Sequence, residues 1–373
     1  MIDFIPAKFY SLIYLFVVTV LTIPISIKYL TVGNSIERYS RQNVFGTGVL
    51  ALLMIFFIGL RPQSYYFVDM MNYIQTYEMM EWTPFNFNIE TDNIIFDNLF
   101  SFWCSARLGI TSFFFLIALI YFGCAFLGIK RLFPQSVLPA YLVFLAAFST
   151  FSYATNGVKA GAAASIFIWA ISHRDKLKIC IPLMLISYGF HHSMQLPIAA
   201  FVLTQFFKNP KYYYYAWIFC FIMSLLHVDL FSNLFANLTD EQGAGYLIGD
   251  GSGSDGTKGG FRIDFILYSA VPILFGYRIE IKKRIPVSMF YRDLIHLYIC
   301  INGIWMLCMY AEFTNRIAYL SWFLYPIVII YPFIHENLGH TKYKVFGKTI
   351  LYHLAFTLFM SLIYYKGILV LFS

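Results

Sequence analysis

The stretch that decides the fold is FFFLIALIYFGCAFLGI, residues 113–129. It has no charged residue and does not alternate polar with apolar positions, so it predicts a helix that is apolar on every side rather than a strand. Roughly 17 to 25 such residues cross a hydrocarbon core about 30 Å thick. Lys130 and Arg131 follow it directly, as is typical of the cytoplasmic end of a transmembrane helix.

Similar runs recur along the whole chain. Of its 373 residues, 60% are hydrophobic and 12% are charged, and the mean hydropathy is +0.67. In soluble domains, about a quarter of the residues are charged. We therefore predict an all-α polytopic integral membrane protein, with about 12 transmembrane helices in a single transmembrane domain over residues 1–373. The predicted spans are 9–29, 43–60, 110–129, 138–154, 157–172, 179–191, 193–207, 213–229, 265–279, 290–311, 316–334 and 349–366.

The distribution of positive charge predicts the orientation. With these spans, 18 of the 26 Lys and Arg residues but 5 of the 19 acids fall in the loops of one side. By the positive-inside rule that side is cytoplasmic, and both termini face outward. We therefore attribute the net charge of +7 to the orientation of the chain in the membrane and not to binding of a nucleic acid.

The short stretch 179–207 is the weak point of this topology. Basic clusters flank it on both sides, which requires an even number of crossings. We predict two short helices that turn at His191, His192 and Ser193. A single long helix is the alternative, and it would reverse the orientation of everything downstream.

Two long outward segments, 61–109 and 230–264, interrupt the helices. The first is acidic and aromatic, and its part 94–108 has the apolar spacing of a helix lying in the membrane interface. The second contains the glycine-rich run 249–260, either a lid over a cavity or a flexible surface loop. Function is expected to gather on such loops.

Charged and titratable residues at predicted span ends are candidates for a binding site, because such residues are costly in a membrane. They share one predicted outward depth, and they are Arg61, Asp69, Lys159, His191, His192 and Arg316. Several cations at one depth favour an anionic ligand, and the planar fork of Arg suits phosphate. Structural alternatives remain: the arginines snorkel to headgroups, the histidines make structural hydrogen bonds, and Asp69 pairs with Arg61.

Several chemistries lack their sequence signatures. The chain has no HExxH, DxD, Walker A or GxSxG motif. We expect no metal and no cofactor.

An ordered set of short elements resembles the EpsG/Wzy-type bacterial polysaccharide polymerases. The elements span nearly the whole chain, and they are Arg61 with Asp69, Tyr73 and Tyr77, then Glu90, then Asn156-Gly157-Val158-Lys159, then Phe190-His191-His192-Ser193, then Arg316. Two positions depart from the family pattern. Lys159 stands where the pattern has Arg, and Pro62-Gln63-Ser64-Tyr65 lacks the Gly that often precedes the Asp.

The resemblance implies a glycosyltransferase of GT-C-like architecture in the bacterial cell inner (cytoplasmic) membrane, with its active site facing the periplasm. It would transfer a growing glycan from undecaprenyl diphosphate onto the next lipid-linked repeat unit, in O-antigen, capsule or exopolysaccharide synthesis. The implied partners are undecaprenyl-diphosphate-linked oligosaccharide, membrane lipid and a chain-length regulator protein.

The site residues follow from this resemblance. Asp69 or His191 is expected to act as general base, with His192 in reserve, while Arg61, Lys159 and Arg316 hold the diphosphate. Further contacts with diphosphate or glycan are expected from Tyr73, Tyr77, Glu90 and Asn156.

Two other classes of protein stay open. A flippase or transporter of lipid-linked oligosaccharides would also need cations facing a diphosphate, but no internal repeat is evident. A membrane O-acyltransferase of surface glycans would need an outward catalytic His and a cytoplasmic acyl donor.

Overall fold

The computed structural model describes residues 5–32, 43–228, 260–311 and 314–364. Helices of α, 3-10 and π type are the regular structure in these ranges, and no strand occurs in them. The all-α prediction is confirmed for this part of the chain. Residues 230–259 of the second predicted outward segment, with most of its glycine-rich run, lie outside the described residues.

The described residues form two compact units, one within 1–194 and 339–373, the other within 195–338. The single transmembrane domain over 1–373 stays a prediction. The first unit contains α1 (Tyr10–Val32), α2 (Asn43–Gly59), α3 (Val68–Met80), α4 (Ile94–Ser105), α5 (Ile110–Leu132), α6 (Val137–Leu145), α7 (Phe148–Thr155), α8 (Val158–Ser172) and α9 (Leu177–Phe190). The second contains α10 (Gln195–Phe206), α11 (Pro210–Leu225), α12 (Ile263–Tyr277), α13 (Met289–Leu307), α14 (Thr314–Trp322) and α15 (Tyr325–His335). The chain then completes the first unit with α16 (Lys342–Tyr364).

Each predicted span contains helical structure in its described part, but the helices differ in length. The ends of the predicted spans 213–229 and 349–366 lie outside the described residues. Within the described ranges, four stretches are long and apolar enough to cross a membrane, namely Ala7–Thr31, Ile110–Leu132, Thr314–His335 and Lys342–Ile363. A fifth candidate is the pair Val137–Leu145 and Phe148–Thr155, which is bent by 70°. Shorter apolar helices rise about 1.5 Å per residue and fall short of a 30 Å core. The number of 12 crossings therefore stays a prediction.

Small residues bring the helices of the first unit close together. A Cβ on Gly128 of α5 would lie 2.9 Å from Ile168 of α8, and one on Gly189 of α9 would lie 2.6 Å from Ile95 of α4. Because Gly128 and Gly189 have no side chain, α8 can pack closely on α5, and α9 on α4. The hydroxyl of Ser187 adds a hydrogen bond to the carbonyl of Ala163, at 2.7 Å.

The second unit has an aromatic core with paired polar groups. Trp322 donates from Nε1 to the hydroxyl of Ser269 at 2.7 Å, and Trp305 donates to Thr314 at 2.9 Å. The rings of Tyr268 and Tyr325 stack at 4.4 Å. The indole nitrogens of both tryptophans are thereby satisfied within an apolar interior.

Helix α9 ends at Phe190, and His191 has an extended backbone with φ −153° and ψ 119°. A 3-10 turn, His192–Met194, follows before α10 begins. The predicted break at His191 is therefore confirmed, and a single continuous helix over 179–207 is wrong. The helix predicted in the interface is also present as α4, whereas α3 is an element that we did not predict.

Candidate functional site

Lys159 lies in the first turn of α8 and forms an ion pair with Asp97 of α4. Its Nζ is 2.9 Å from Oδ1 of Asp97, and the two side chains remain 24% and 32% exposed. The ammonium also lies 4.9 Å from the centroid of the Phe96 ring. A cation near a helix N-terminus is disfavoured by the helix dipole. The carboxylate of Asp97 offsets that cost.

The segment before α4 holds the other oxygen of Asp97. Thr91 donates from its hydroxyl to Oδ2 of Asp97 at 2.7 Å, and Nδ2 of Asn93 lies 3.5 Å from the same oxygen. Ionised carboxylates accept several hydrogen bonds at once. Asp97 thus connects Lys159 with the two polar residues of this turn.

Asn93 extends this connection to His192. Its Oδ1 accepts the backbone N–H of His192 at 3.0 Å and lies 3.3 Å from Nδ1 of that ring. The amide oxygen faces a donor and the amide nitrogen faces a carboxylate, so the neighbours of Asn93 decide its orientation. In a neutral His192, Nδ1 then carries the proton and Nε2 is the basic nitrogen.

His191 has the opposite arrangement. Its ring stacks on that of His192 with the centroids 5.0 Å apart. Its Nδ1 accepts the backbone N–H of Ser193 at 3.2 Å and lies 2.7 Å from the hydroxyl of Ser193. A backbone N–H only donates, so a neutral His191 carries its proton on Nε2. With these tautomers, Nε2 of His192 can accept a proton, and Nε2 of the adjacent His191 can donate one.

These contacts define one polar network, which contains Thr91, Asn93, Asp97, Lys159, His191, His192 and Ser193. It joins the start of α4, the start of α8 and the end of α9. A cation, a proton acceptor and a proton donor are thus held in one partly exposed place, which suits acid–base chemistry beside an anion.

Four members of the network were not among our predicted site residues, namely Thr91, Asn93, Asp97 and Ser193. A signal for Asp97 was present, because it is the only charged residue in the apolar stretch of α4, 94–105. A charge in such a segment is a functional candidate. Asn93 gave no signal, since its partner His192 is 99 residues away in sequence. Thr91 and Ser193 are ordinary polar residues of turns, and nothing in their sequence neighbourhood marked them.

Arg61 lies in the interior of the first unit, and its contact with a diphosphate stays a prediction. The residue is only 1% exposed, and its guanidinium donates to the carbonyls of Ile58 and Thr155 at 2.9 and 3.1 Å. It lies between the rings of Phe67 and Phe114, 5.3 and 4.9 Å from their centroids. Burial lowers the pKa of Arg61 to about 9, so the group stays cationic at neutral pH. These contacts favour joining the ends of α2 and α7 over holding a diphosphate.

The three predicted residues of α3 lie at different depths. Asp69 is half-buried in the first turn. The ring of Tyr73 packs among Phe96, Phe100 and Phe114, with centroids 5.8 to 6.1 Å away. The hydroxyl of Tyr77 accepts the backbone N–H of Gly109 at 3.0 Å. Both tyrosines thus support the packing of this region.

The remaining predicted residues are Glu90, Asn156 and Arg316, which lie on three different segments of the chain. Glu90 is exposed. Asn156 follows α7, and its Oδ1 is buried with no hydrogen-bond partner among the residues that the structure describes. Arg316 is exposed in the first turn of α14, in the second unit. Their roles in binding stay predictions.

The helical fold, its apolar spans and the polar network at helix ends define an integral membrane protein. No curated protein and no solved structure matches this chain. A family model matches over residues 43–371, and the chain belongs to the EpsG family. Membership supports a function of the polysaccharide polymerase type, and the predicted resemblance is confirmed.

Proposed function

We propose that this protein polymerises a bacterial polysaccharide by transferring a growing glycan from undecaprenyl diphosphate onto the next lipid-linked repeat unit. The proposal includes 12 crossings, a GT-C-like architecture, the inner membrane and a site that faces the periplasm. Membrane lipid surrounds the protein, and a separate chain-length regulator acts with it. The family supports the polymerase class, and the charge bias of the loops supports the orientation.

The observation that carries the proposal is the hydrogen bond between Asn93 and His192. This bond orients the imidazole, and Asn93 connects it to the Lys159–Asp97 pair. A general base needs an orienting partner and a basic nitrogen directed at the acceptor hydroxyl. The tautomer assigned above gives this role to Nε2 of His192, which was the reserve candidate from the sequence.

In the proposed reaction, the acceptor sugar hydroxyl attacks the anomeric carbon of the donor. The bond from that carbon to the diphosphate oxygen breaks, and the bond to the acceptor oxygen forms. The proton of the hydroxyl moves to Nε2 of His192, and undecaprenyl diphosphate leaves. Direct attack inverts the anomeric configuration.

The diphosphate carries negative charge throughout, so its binding depends on cations. Lys159 is partly exposed and has three N–H donors, of which Asp97 accepts one. We assign Lys159 the first contact with the diphosphate, and the assignment of Arg316 to the diphosphate stays a prediction from the sequence. His191, with its proton on Nε2, is placed to donate a hydrogen bond to a phosphate oxygen.

The test is a reconstituted assay with purified protein and an undecaprenyl-diphosphate-linked repeat unit, resolved on gels. The wild type should form a ladder of longer lipid-linked glycans. His192→Gln should lower the rate by about 10²- to 10⁴-fold, as expected for loss of a general base. His340→Gln, a change at an exposed loop histidine, is the matched control and should leave the rate unchanged.

Two results would contradict the proposal. A full rate in His192→Gln would remove this residue as the base and return the role to Asp69 or His191. No ladder from the wild type, with labelled substrate changing leaflet in the same vesicles, would identify a flippase instead.

A further inference from the structure

A groove separate from the polar network lies in the first unit. Its volume is about 780 Å³, within the roughly 300–1,000 Å³ of ordinary ligand sites. It is lined by the end of α2, the segment after it, α3, the turn between α4 and α5, and the start of α5. By the predicted topology, these helix ends lie at the outward surface of the membrane.

The groove has two chemically different sides. One side is apolar and includes Phe56, Leu60 and Phe115. The other carries Glu78, Glu81 and Arg107. Glu78 lies in the last turn of α3, and Glu81 follows the helix directly with helical backbone angles, φ −56° and ψ −26°. The two acids, three residues apart, therefore project from neighbouring positions. The charged side therefore has two negative groups and one positive group.

The turn that lines the groove is held in an unusual conformation. Arg107 has φ +53° and Gly109 has φ +81°. Tyr77 accepts the N–H of Gly109 at 3.0 Å, and Trp103 donates from Nε1 to its carbonyl at 3.2 Å. A non-glycine residue with positive φ persists only where its surroundings enforce it. Side chains from two helices thus build this wall.

An exposed aromatic ring accompanies the charged side. The guanidinium of Arg107 lies 3.7 Å from the centroid of the Trp82 ring, and Trp82 is 73% exposed. Trp82 follows Glu81 directly in the chain. The stack holds an indole at the surface without burying it. Such a ring is suited to pack on the C–H face of a sugar.

We propose that this groove binds the sugar rings of the glycan chain, uncharged or amino-substituted, while the reaction takes place at the polar network. This inference rests on the proposed polymerase function. The carboxylates of Glu78 and Glu81 accept hydrogen bonds from sugar hydroxyls. The excess of negative charge repels a diphosphate, so the lipid-diphosphate end belongs elsewhere.

The experiment measures binding of the free repeat-unit oligosaccharide, released from its lipid, through the fluorescence of purified protein. Trp82→Phe identifies the part of the signal that comes from Trp82. The wild type should give a saturable change. Glu78→Gln with Glu81→Gln should weaken binding about 10-fold or more, because each change replaces an ionised acceptor by a neutral amide. Asp92→Asn, an exposed acid of the same outward segment, is the control and should bind as the wild type does.

The outcomes separate this inference from the proposed function. A wild type that forms the glycan ladder but gives no Trp82 signal with oligosaccharide overturns the groove. Equal affinity in the double variant overturns it as well, provided that the variant unfolds at the wild-type temperature. A Trp82 response to undecaprenyl diphosphate that exceeds the response to oligosaccharide would also overturn it. If the wild type forms no ladder but binds the oligosaccharide saturably, the polymerase reaction is contradicted and the groove remains a glycan-binding site.

Discussion

The side-chain oxygen of Asn93 lies 3.0 Å from the backbone nitrogen of His192, although 99 residues separate them in sequence. This bond attaches the turn after α9 to the segment before α4. It also places the amide of Asn93 beside the ring of His192. Asn93 is therefore a positioning residue for His192, because one oxygen of its side chain contacts both the backbone and the imidazole of His192.

Replacement of Asn93 by Ala should lower the polymerisation rate about 10- to 100-fold, as is typical when an outer hydrogen-bond partner is removed from a reactive group. The pH profile of the rate should shift as well, because the imidazole loses a partner of its protonated Nδ1. The measurement is the initial rate of ladder formation against pH. Asn72→Ala, at an exposed position of α3, should match the wild type. An unchanged pH profile in Asn93→Ala would restrict Asn93 to a structural role.

The Lys159–Asp97 pair should couple in a double-mutant cycle of activity. Lys159→Met and Asp97→Asn should each reduce polymerisation, and the double variant should lose less than the sum of the two effects in free energy. On stability the coupling should be at most about 1 kcal/mol, because both side chains are partly exposed. The control is the Arg131–Asp175 pair, 2.7 Å apart and also exposed. That pair should show a similar stability coupling and no effect on activity.

Arg61→Leu should destabilise the protein rather than alter substrate affinity. The change removes the side-chain donors to the carbonyls of Ile58 and Thr155. The carbonyl of Ile58 keeps the backbone N–H of residue 61 at 3.4 Å, so the main loss falls on Thr155. Each unsatisfied buried group costs about 1–3 kcal/mol. Thermal unfolding in detergent should show a lower Tm, while the KM of surviving protein stays close to the wild-type value. A normal Tm with a raised KM would restore Arg61 as a diphosphate contact.

Gly161→Ala should disturb the start of α8. An added Cβ would lie 2.7 Å from the carbonyl oxygen of Tyr153, and overpacking of this kind costs about 1–3 kcal/mol. Because Lys159 lies two residues earlier, activity and Tm should fall together. Gly123→Ala on α5 is the matched control, since no atom lies within 4 Å of its added Cβ. Equal behaviour of the two variants would contradict the packing argument.

The Arg131–Asp175 pair, on the predicted cytoplasmic side, should have a small effect on the stability of the protein at acid pH. Hydrogen bonding from Arg131 lowers the pKa of Asp175 below its usual 3.8. A lowered pKa adds stability above the unfolded value, and this stability is lost as the pH falls through the folded value. Unfolding followed between about pH 5 and 2 should show a slightly shallower loss of Tm in Asp175→Asn than in the wild type. A large difference would contradict the exposed position of the pair.

Much of the helical organisation could be predicted because it depends on local composition. Apolar runs specify spans such as 110–129, and the apolar spacing in 94–108 indicated α4. The break at His191 followed from the length of the stretch and its basic flanks. The 70° bend between α6 and α7 could not be predicted, since no Pro or Gly lies at the break, residues 146–147.

The candidate site was predictable in part. The sequence singled out Lys159, His191 and His192 because polar groups at membrane depth are costly and therefore conspicuous. The structure joins them in one polar network, and their roles stay predictions. Tyr73 and Tyr77 were predicted to touch substrate, and this stays a prediction; the structure shows that the ring of Tyr73 packs among phenylalanines and that the hydroxyl of Tyr77 holds Gly109. Tyrosine serves both purposes equally well, so composition could not separate them.

The sequence by itself determined that this chain is helical, lies in a membrane and belongs with polysaccharide polymerases, because hydropathy, charge bias and ordered motifs are read along the chain. Only the tertiary structure decided that Asp97 pairs with Lys159, 62 residues away, and that Asn93 orients His192. It also placed Arg61 in the interior, on two helix ends. These partners depend on which helices pack together. That packing is close because Gly128 and Gly189 have no side chain. Each of these glycines lies against a residue that is far away in sequence.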